Sequence, residues 1–309
     1  MAPKAIEARG VTRRYGEIQA VGGVDLDVDQ GSVVAILGPN GAGKTTLVEI
    51  LEGLRRRDSG DVLVLGADPA ESSRQWRSRI GAVLQLGTET DELTVGEMVT
   101  AFSRYYPRPL DVDGLLDALD LAAQRDRRVQ QLSGGQRRRL DLALGLVGDP
   151  ELLFLDEPTT GLDPEVRHRI WDFIKALAAK GTTILLTTHY MEEAEQLADR
   201  VAVLVAGEIV ATGPPGQLTG EPTAEVTFRR TGPLLEATLP EDLPADSITE
   251  DGTIVVVTTQ KPSAAVTQLV AWAGGLGGEL EDLAVERRGL EDVYLDLLTN
   301  LNNTGETSS

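Results

Sequence analysis

Apolar and polar positions alternate, or run apolar, over residues 6–12 and 24–28, the pattern of half-buried strands. Residues 32–37 form a short apolar run stopped by Gly-Pro, which predicts a buried strand emptying into a loop, with a helix from Lys44 to about Gly53. Thr94-Val-Gly-Glu97 has the spacing of a capping box, so a helix starts there and runs towards Tyr106, where Pro107 and Pro109 stop it. Residues 151–156 read as another buried strand. Asp163 followed by Pro164 supplies an N-cap with proline at the first helical position, opening a helix to about Lys180. Two more apolar strands, 182–188 and 201–205, complete the series. Strands alternating with helices in this order predict a mostly parallel sheet covered on both faces, an α/β fold.

The texture changes after Gly213-Pro-Pro-Gly216. Residues 224–228 and 253–259 read as strands, with a turn at Glu250-Asp-Gly252. A helix over 263–272, a strand over 281–286 and a helix over 290–298 follow. The chain therefore divides into a domain over 4–220 and a small α+β domain over 221–299, with 300–309 a frayed polar tail. No internal repeat and no low-complexity segment interrupts either part.

Composition narrows the chemistry. At 309 residues two domains fit, and 41% hydrophobic residues suffice for a sizeable core. The absence of cysteine excludes disulfides, a cysteine-zinc site and a thiol nucleophile. Apolar runs such as 201–206 fall far short of the roughly 18 residues of a membrane span, and the N-terminus has no apolar signal-peptide core. The expectation is a soluble, cytoplasmic protein. Twenty-nine basic against 49 acidic residues leave a net charge of −20, which repels a phosphate backbone and argues against a nucleic-acid partner. Residues 221–309 carry 16 acids and 5 bases (net −11), against 33 and 24 in the first 220 (net −9), placing a boundary near Gly220. Only 5 of the basic residues are Lys, so a lysine inside a glycine loop stands out.

That lysine lies in Gly38-Pro39-Asn40-Gly41-Ala42-Gly43-Lys44-Thr45, between a buried strand and a helix. The residues fit G-x-x-x-x-G-K-[ST], a loop whose glycines turn successive N–H groups around phosphate oxygens at a helix N-terminus. Lys44 can reach the β and γ phosphates, and the Thr45 hydroxyl can join a Mg²⁺ shell, with Thr46 next to it. Magnesium nucleotide binding follows. The guanine-reading strings N-K-x-D and T-K-x-D are absent.

A second constellation selects among nucleotide enzymes. Leu132-Ser133-Gly134-Gly135-Gln136 opens a helix with a capping-box spacing and with Leu140, Leu144 and Val147 on one face. Leu152-Leu-Phe-Leu-Asp156-Glu157 sets two carboxylates at the end of a buried strand, followed by Gly161-Leu-Asp163 and, a strand later, His189. In this order and spacing the motifs resemble the ATP-binding cassette (ABC) ATPases over about residues 4–220. The resemblance implies a phosphate-loop cassette with a mostly parallel sheet, an antiparallel β subdomain and a helical subdomain over about 88–148. It also implies roles: Tyr15 stacking on adenine, Asp156 holding Mg²⁺ through water and Glu157 polarising the attacking water. Gln85 would contact Mg²⁺ and that water, His189 would reach the γ-phosphate, and Asp163 would join the nucleotide-binding set. By the same resemblance, Ser133 and Gly135 cap the γ-phosphate held by a second cassette, so that two chains, most simply two copies, sandwich two ATP molecules.

The runs 135–144, 156–164 and 188–195, and the ending 290–298, are similar to the daunorubicin-resistance type of drug-exporter ATPase. That type implies a separate multi-span permease of the ABC-2 type, with the chain peripheral on the inner face of the membrane and driving efflux of a drug-like or amphipathic compound. The competing reading is a soluble cassette ATPase of DNA repair or translation. Its usual marks, long coiled-coil insertions, zinc cysteines or two cassettes in one chain, are missing. The C-terminal domain carries no motif and reads as a packing domain. The runs Arg55–Arg57 and Arg137–Arg139 read as solvated faces, the second one adding positive potential near the phosphate site.

Overall fold

The computed structural model describes residues 3–71, 73–83, 92–218, 223–287 and Tyr294. Gln85, Gly220, the tail at 300–309 and all of the expected 290–298 helix except Tyr294 lie outside them. The chain divides into two compact units at Pro215/Gly216.

The first unit opens with a hairpin of twelve-residue strands, β1 (Lys4–Tyr15) and β2 (Ile18–Asp29), longer than the apolar runs alone predict. Gly10 (φ 57°) and Gly23 (φ 90°) lie where the pairing register shifts, and past these shifts the strands run on through exposed and half-buried residues, with Val21 alone fully buried, so no regular alternation marks them. The strand β3 (Val33–Leu37) is buried at all five positions and leads to α1 (Lys44–Leu51). The strand β4 (Ser59–Val64) returns to β1, giving a three-stranded antiparallel sheet of order β2-β1-β4. Then come α2 (Arg74–Arg77), β5 (Ile80–Val83) and three helices, α3 (Val95–Ser103), α4 (Val112–Ala118) and α5 (Gly134–Leu146). The helix α3 starts with the expected capping box at Thr94 and Glu97 but ends at Ser103, where turn bonds lead the chain to Tyr106.

The unit closes with β6 (Leu152–Asp156), α6 (Pro164–Ala179), β7 (Thr183–Thr188), α7 (Met191–Leu197), β8 (Arg200–Val205) and β9 (Glu208–Gly213). Six strands form one sheet of order β5-β6-β7-β3-β8-β9, parallel except for β9. Its central strands are buried on both faces, which is why they read as continuous apolar runs. One core joins Ile36, Phe154 and Leu185 of this sheet to Ile6, Val28 and Val64 of the antiparallel sheet through Leu47 and Leu51 of α1. The carboxyl ends of β3, β6 and β7 thereby meet, with Asp156 beside Thr187 and Leu37 beside Thr188.

The sequence predicts an amphipathic α5, but every residue from Leu140 to Leu146 is buried, Asp141 among them. Two glycines cause this. A Cβ on Gly145 would fall 2.5 Å from Val83 Cγ2, and one on Gly81 2.1 Å from the Gly145 carbonyl oxygen, so α5 lies directly on β5.

A short helix, α8 (Pro215–Leu218), spans the division. The second unit has β10 (Ala224–Arg229), β11 (Ser247–Asp251), β12 (Ile254–Thr259), α9 (Pro262–Gly275) and β13 (Glu281–Arg287). Its sheet is antiparallel throughout, of order β11-β12-β10-β13, with Val226, Phe228 and Val257 packed on Ala265 and Leu269 of α9. All five residues of β11 are exposed, so no hydrophobic side announces it. Among the described residues no helix is long and apolar enough to cross a membrane.

Candidate functional site

The strand β3 delivers the chain to the loop at 38–43, and α1 begins at once behind it. Two glycines are forced by close backbone approach. A Cβ on Gly38 would lie 2.3 Å from the Leu204 carbonyl oxygen, and one on Gly43 (φ 102°) 2.0 Å from that of Ala20. Gly43 is the N-cap of α1 and no side chain caps that end, so the first N–H groups face the loop's interior as an anion site does. Lys44 is only 5% exposed, and its Nζ donates to the carbonyls of Gly38 (2.8 Å) and Pro39 (3.1 Å). A cavity of about 270 Å³ opens here, lined by Tyr15, Ala20, Asn40, Gly41, Gly43, Lys44, Thr45, Thr46 and Glu157.

The paired carboxylates complete its chemistry. Asp156 ends β6 and accepts from Thr187 Oγ1 (2.5 Å) and Thr45 Oγ1 (3.4 Å), one on each carboxylate oxygen. Glu157 has φ 46°, a left-handed conformation that costs a non-glycine residue energy and is held only where the surroundings dictate it. Here its N–H is shared between the Thr187 carbonyl (3.2 Å) and hydroxyl (3.1 Å). The bend carries the side chain back to the loop: Oε1 lies 3.6 Å from Lys44 Nζ and 3.3 Å from His189 Nδ1, while Thr160 Oγ1 donates to Oε2 at 3.2 Å. The lysine that opens α1 thus meets the glutamate and histidine that follow β6 and β7.

Arg138 belongs to this site although its run of arginines suggested solvent. It is 9% exposed, and its guanidinium donates to the carbonyls of Asp156 (2.7 Å), Glu157 (2.9 Å) and Pro158 (2.7 Å). Burial pulls its pKa below the ordinary arginine value, against the pull of nearby Asp141 and Asp156. It ties α5 to the carboxylate-bearing turn. The apolar face read from Leu140, Leu144 and Val147 does not include position 138, so the sequence pattern alone does not mark it. The Arg55–Arg57 run is likewise not a plain solvated face. Arg57 forks onto Asp68 (2.8 and 2.7 Å), and Arg55 pairs with Glu49 at 2.5 Å. Thr187, which donates to the Asp156 carboxylate and accepts from the Glu157 N–H, was also missed; inside a buried strand it reads as one more sheet residue.

The other sequence candidates fall at different distances from the cavity. Tyr15 lines it, 37% exposed, with the Arg13 and Arg55 guanidiniums 5.0 and 5.3 Å from its ring centre. The Ser133 hydroxyl and Gln136 side chain form a reciprocal capping box (3.3 and 3.0 Å), and Ser133 and Gly134 are exposed. None of Ser133, Gly134, Gly135 and Gln136 lines the Lys44 cavity. Asp163 caps α6 through the Val166 N–H (3.0 Å). His168 is exposed and bonds the Pro164 carbonyl.

A glycine loop opening a helix beside paired strand-end carboxylates defines a nucleoside triphosphatase. Comparison with known proteins gives the family. The ABC transporter profile matches residues 21–160, and that of the ABC transporter domain-containing protein-like C-terminal domain matches 224–288. The chain is 41% identical, over 96% of both chains, to the daunorubicin resistance ATP-binding protein DrrA3 of Streptomyces coeruleorubidus. It is 45% identical to the Nod factor export ATP-binding protein I of Rhizobium meliloti (strain 1021) over 70% of this chain and 66% of that one. The dimeric structure of MJ0796, a bacterial ABC transporter cassette, superposes with a TM-score of 0.61 at 28% identity, covering 68% of this chain and 98% of that one. The protein belongs to the ATP-binding cassette ATPases of ABC transporters.

Proposed function

We propose that the chain is the ATP-hydrolysing motor of an exporter that drives a drug-like or amphipathic compound through a separate membrane permease of the ABC-2 type. The supporting observation is that the likeness to the daunorubicin resistance protein runs through both units, 96% of each chain, and so includes the C-terminal domain. A soluble repair or translation cassette has no such support. On this reading the chain sits peripherally on the cytoplasmic face, held by the permease.

The site residues take the following roles. The adenine ring stacks on Tyr15, and the phosphates lie along 38–46 with Lys44 on the outer two. The Thr45 hydroxyl and the Asp156 carboxylate are hard oxygen donors 3.4 Å apart, a set that suits Mg²⁺. Among the described residues no cluster of three or more His, Cys, Asp or Glu could hold a metal alone, so phosphate oxygens and water would complete its shell, Gln85 being a further candidate ligand. Mg²⁺, when bound, would neutralise phosphate charge. Glu157 orients and polarises the attacking water, and His189, held against Glu157, donates towards the γ-phosphate. Ser133, Gly134, Gly135 and Gln136, all outside this cavity and the first two exposed, serve the nucleotide of a second cassette, with Asp163 a further nucleotide-binding candidate. A head-to-tail dimer then carries two complete sites.

The test is a tagged Glu157→Gln chain, purified from native cells in Mg-ATP and mild detergent, with mass spectrometry of what accompanies it. A stoichiometric polytopic membrane protein is the expected result. Ribosomal proteins, nucleic acid or soluble partners alone would overturn the exporter reading.

A further inference from the structure

Glu193, in the first turn of α7, is the most deeply buried carboxylate among the described residues. Its Oε1 accepts two hydrogen bonds, from the Thr159 hydroxyl at 2.6 Å and from the Trp171 indole N–H at 3.0 Å. Both donors are themselves buried. Its Oε2 is buried too and has no hydrogen-bond partner among the described residues. A carboxylate held this way costs stability, and an apolar side chain of similar size would pack without that cost. Packing alone therefore does not account for Glu193, and what its one bonded oxygen holds becomes the question.

Thr159 is built into the turn that leaves β6. The Thr160 N–H bonds the Glu157 carbonyl (3.3 Å), the Thr160 hydroxyl bonds Glu157 Oε2 (3.2 Å), and the Leu162 N–H bonds the Thr159 carbonyl (3.2 Å). Holding Thr159 thus holds the turn in which Glu157 takes its left-handed conformation. At the other end, Glu193 stands four residues past His189, about one helical turn away. The contacts close a ring, with Glu157 against His189 at 3.3 Å in front and Thr159 against Glu193 at 2.6 Å behind. The front pair is partly open to water, its side chains 20% and 29% exposed, whereas the rear bond is sealed from it. A hydrogen bond shielded from water is the stronger of the two, and Trp171 anchors it to α6. We propose that Glu193 is a positioning residue for hydrolysis, which through Thr159 sets the spacing of Glu157 and His189. The proposal rests on the roles given above to those two side chains and adds the link that fixes their separation.

The experiment measures Mg-ATP binding and hydrolysis by the full-length Thr159→Val chain, which loses the hydroxyl and keeps the shape. The expected result is a kcat at least about tenfold lower, with KM and ATP binding unchanged, because a displaced carboxylate is felt only in the transition state. Thr159→Ser, which regains the hydroxyl, recovers the rate to within about threefold of wild type. Glu193→Gln keeps the Oε1 acceptor without the charge, and Glu193→Asp keeps the charge but withdraws the acceptor. Of these two, Glu193→Asp is expected to lose more kcat, and the pair decides the matter if Thr159→Val does not fold. In a Glu157→Gln chain, adding Thr159→Val lowers the residual rate by less than about twofold, since the effect passes through Glu157. A wild-type kcat in Thr159→Val, a loss that Thr159→Ser does not recover, a larger loss in Glu193→Gln than in Glu193→Asp, or an undiminished loss on top of Glu157→Gln would overturn the positioning role. Each of these leaves Glu157 and His189 in their roles. A Glu157→Gln chain that hydrolyses ATP at the wild-type rate would overturn those roles and the positioning with them.

Discussion

The cassette unit buries Lys44, Glu52, Arg138, Asp141 and Glu193, whereas Thr259 is the one polar residue that the C-terminal unit buries among those described. Both units are sheets covered by helices, so the difference is not one of architecture. Charges are taken out of water only where something compensates them. In the cassette most of that compensation is visible: carbonyls around Arg138, carboxylate and carbonyls around Lys44, and Thr159 and Trp171 donating to Oε1 of Glu193 (2.6 and 3.0 Å), whereas Oε2 of Glu52 and of Glu193 have no hydrogen-bond partner among the described residues. In the C-terminal unit Thr259 bonds the Pro244 carbonyl and the rest of the core is hydrocarbon. One unit stores chemistry and the other stores packing.

Substitutions can break that contrast. The largest effect is expected from Glu157→Gln, which lowers Mg-ATP hydrolysis by about 10³-fold while a fluorescent ATP analogue still binds. Next, Phe228→Ala removes the largest buried side chain of the C-terminal core and costs that unit about 4 kcal/mol. Calorimetry should show the loss, with the ATPase rate within about twofold of wild type. A parallel fall in hydrolysis would mean that the C-terminal unit is more than packing. Arg138→Met leaves three carbonyls without their donor and costs about 3 kcal/mol, with a lower kcat at unchanged KM, since the carboxylate turn loses its brace. A further effect is a pH slope. The carboxyl of Glu52 is raised from 4.5 to about 8, so the folded chain holds a proton that the unfolded chain releases. The stability it contributes is complete below about pH 4.5 and is lost as pH rises towards 8. Glu52→Gln should flatten that part of the melting curve against pH.

Much of the cassette was legible because its signals are local. The capping boxes at Thr94 and Ser133, the Asp163-Pro164 helix start and the glycine loop each fit within a few residues and appear as read. What escaped depends on distant neighbours. The edge strand β4 has only Val62, Val64 and exposed Leu63 as apolar residues, and β9 pairs with β8 while showing one buried position. Arg138 and Asp141 look like helix surface until Gly81 and Gly145 are seen to press α5 onto β5. The bend at Glu157 and the double brace from Thr187 exist only once β6 and β7 pair.

The head-to-tail site is tested most directly by mixing two inactive chains. Lys44→Ala keeps an intact signature with a dead phosphate loop, and Ser133→Arg keeps the loop with a blocked signature. If hydrolysis needs the loop of one chain and the signature of another, each variant alone is inactive in Mg-ATP and the mixture recovers activity. A mixture as inactive as its parts, or a Ser133→Arg chain that hydrolyses ATP at the wild-type rate by itself, would contradict it.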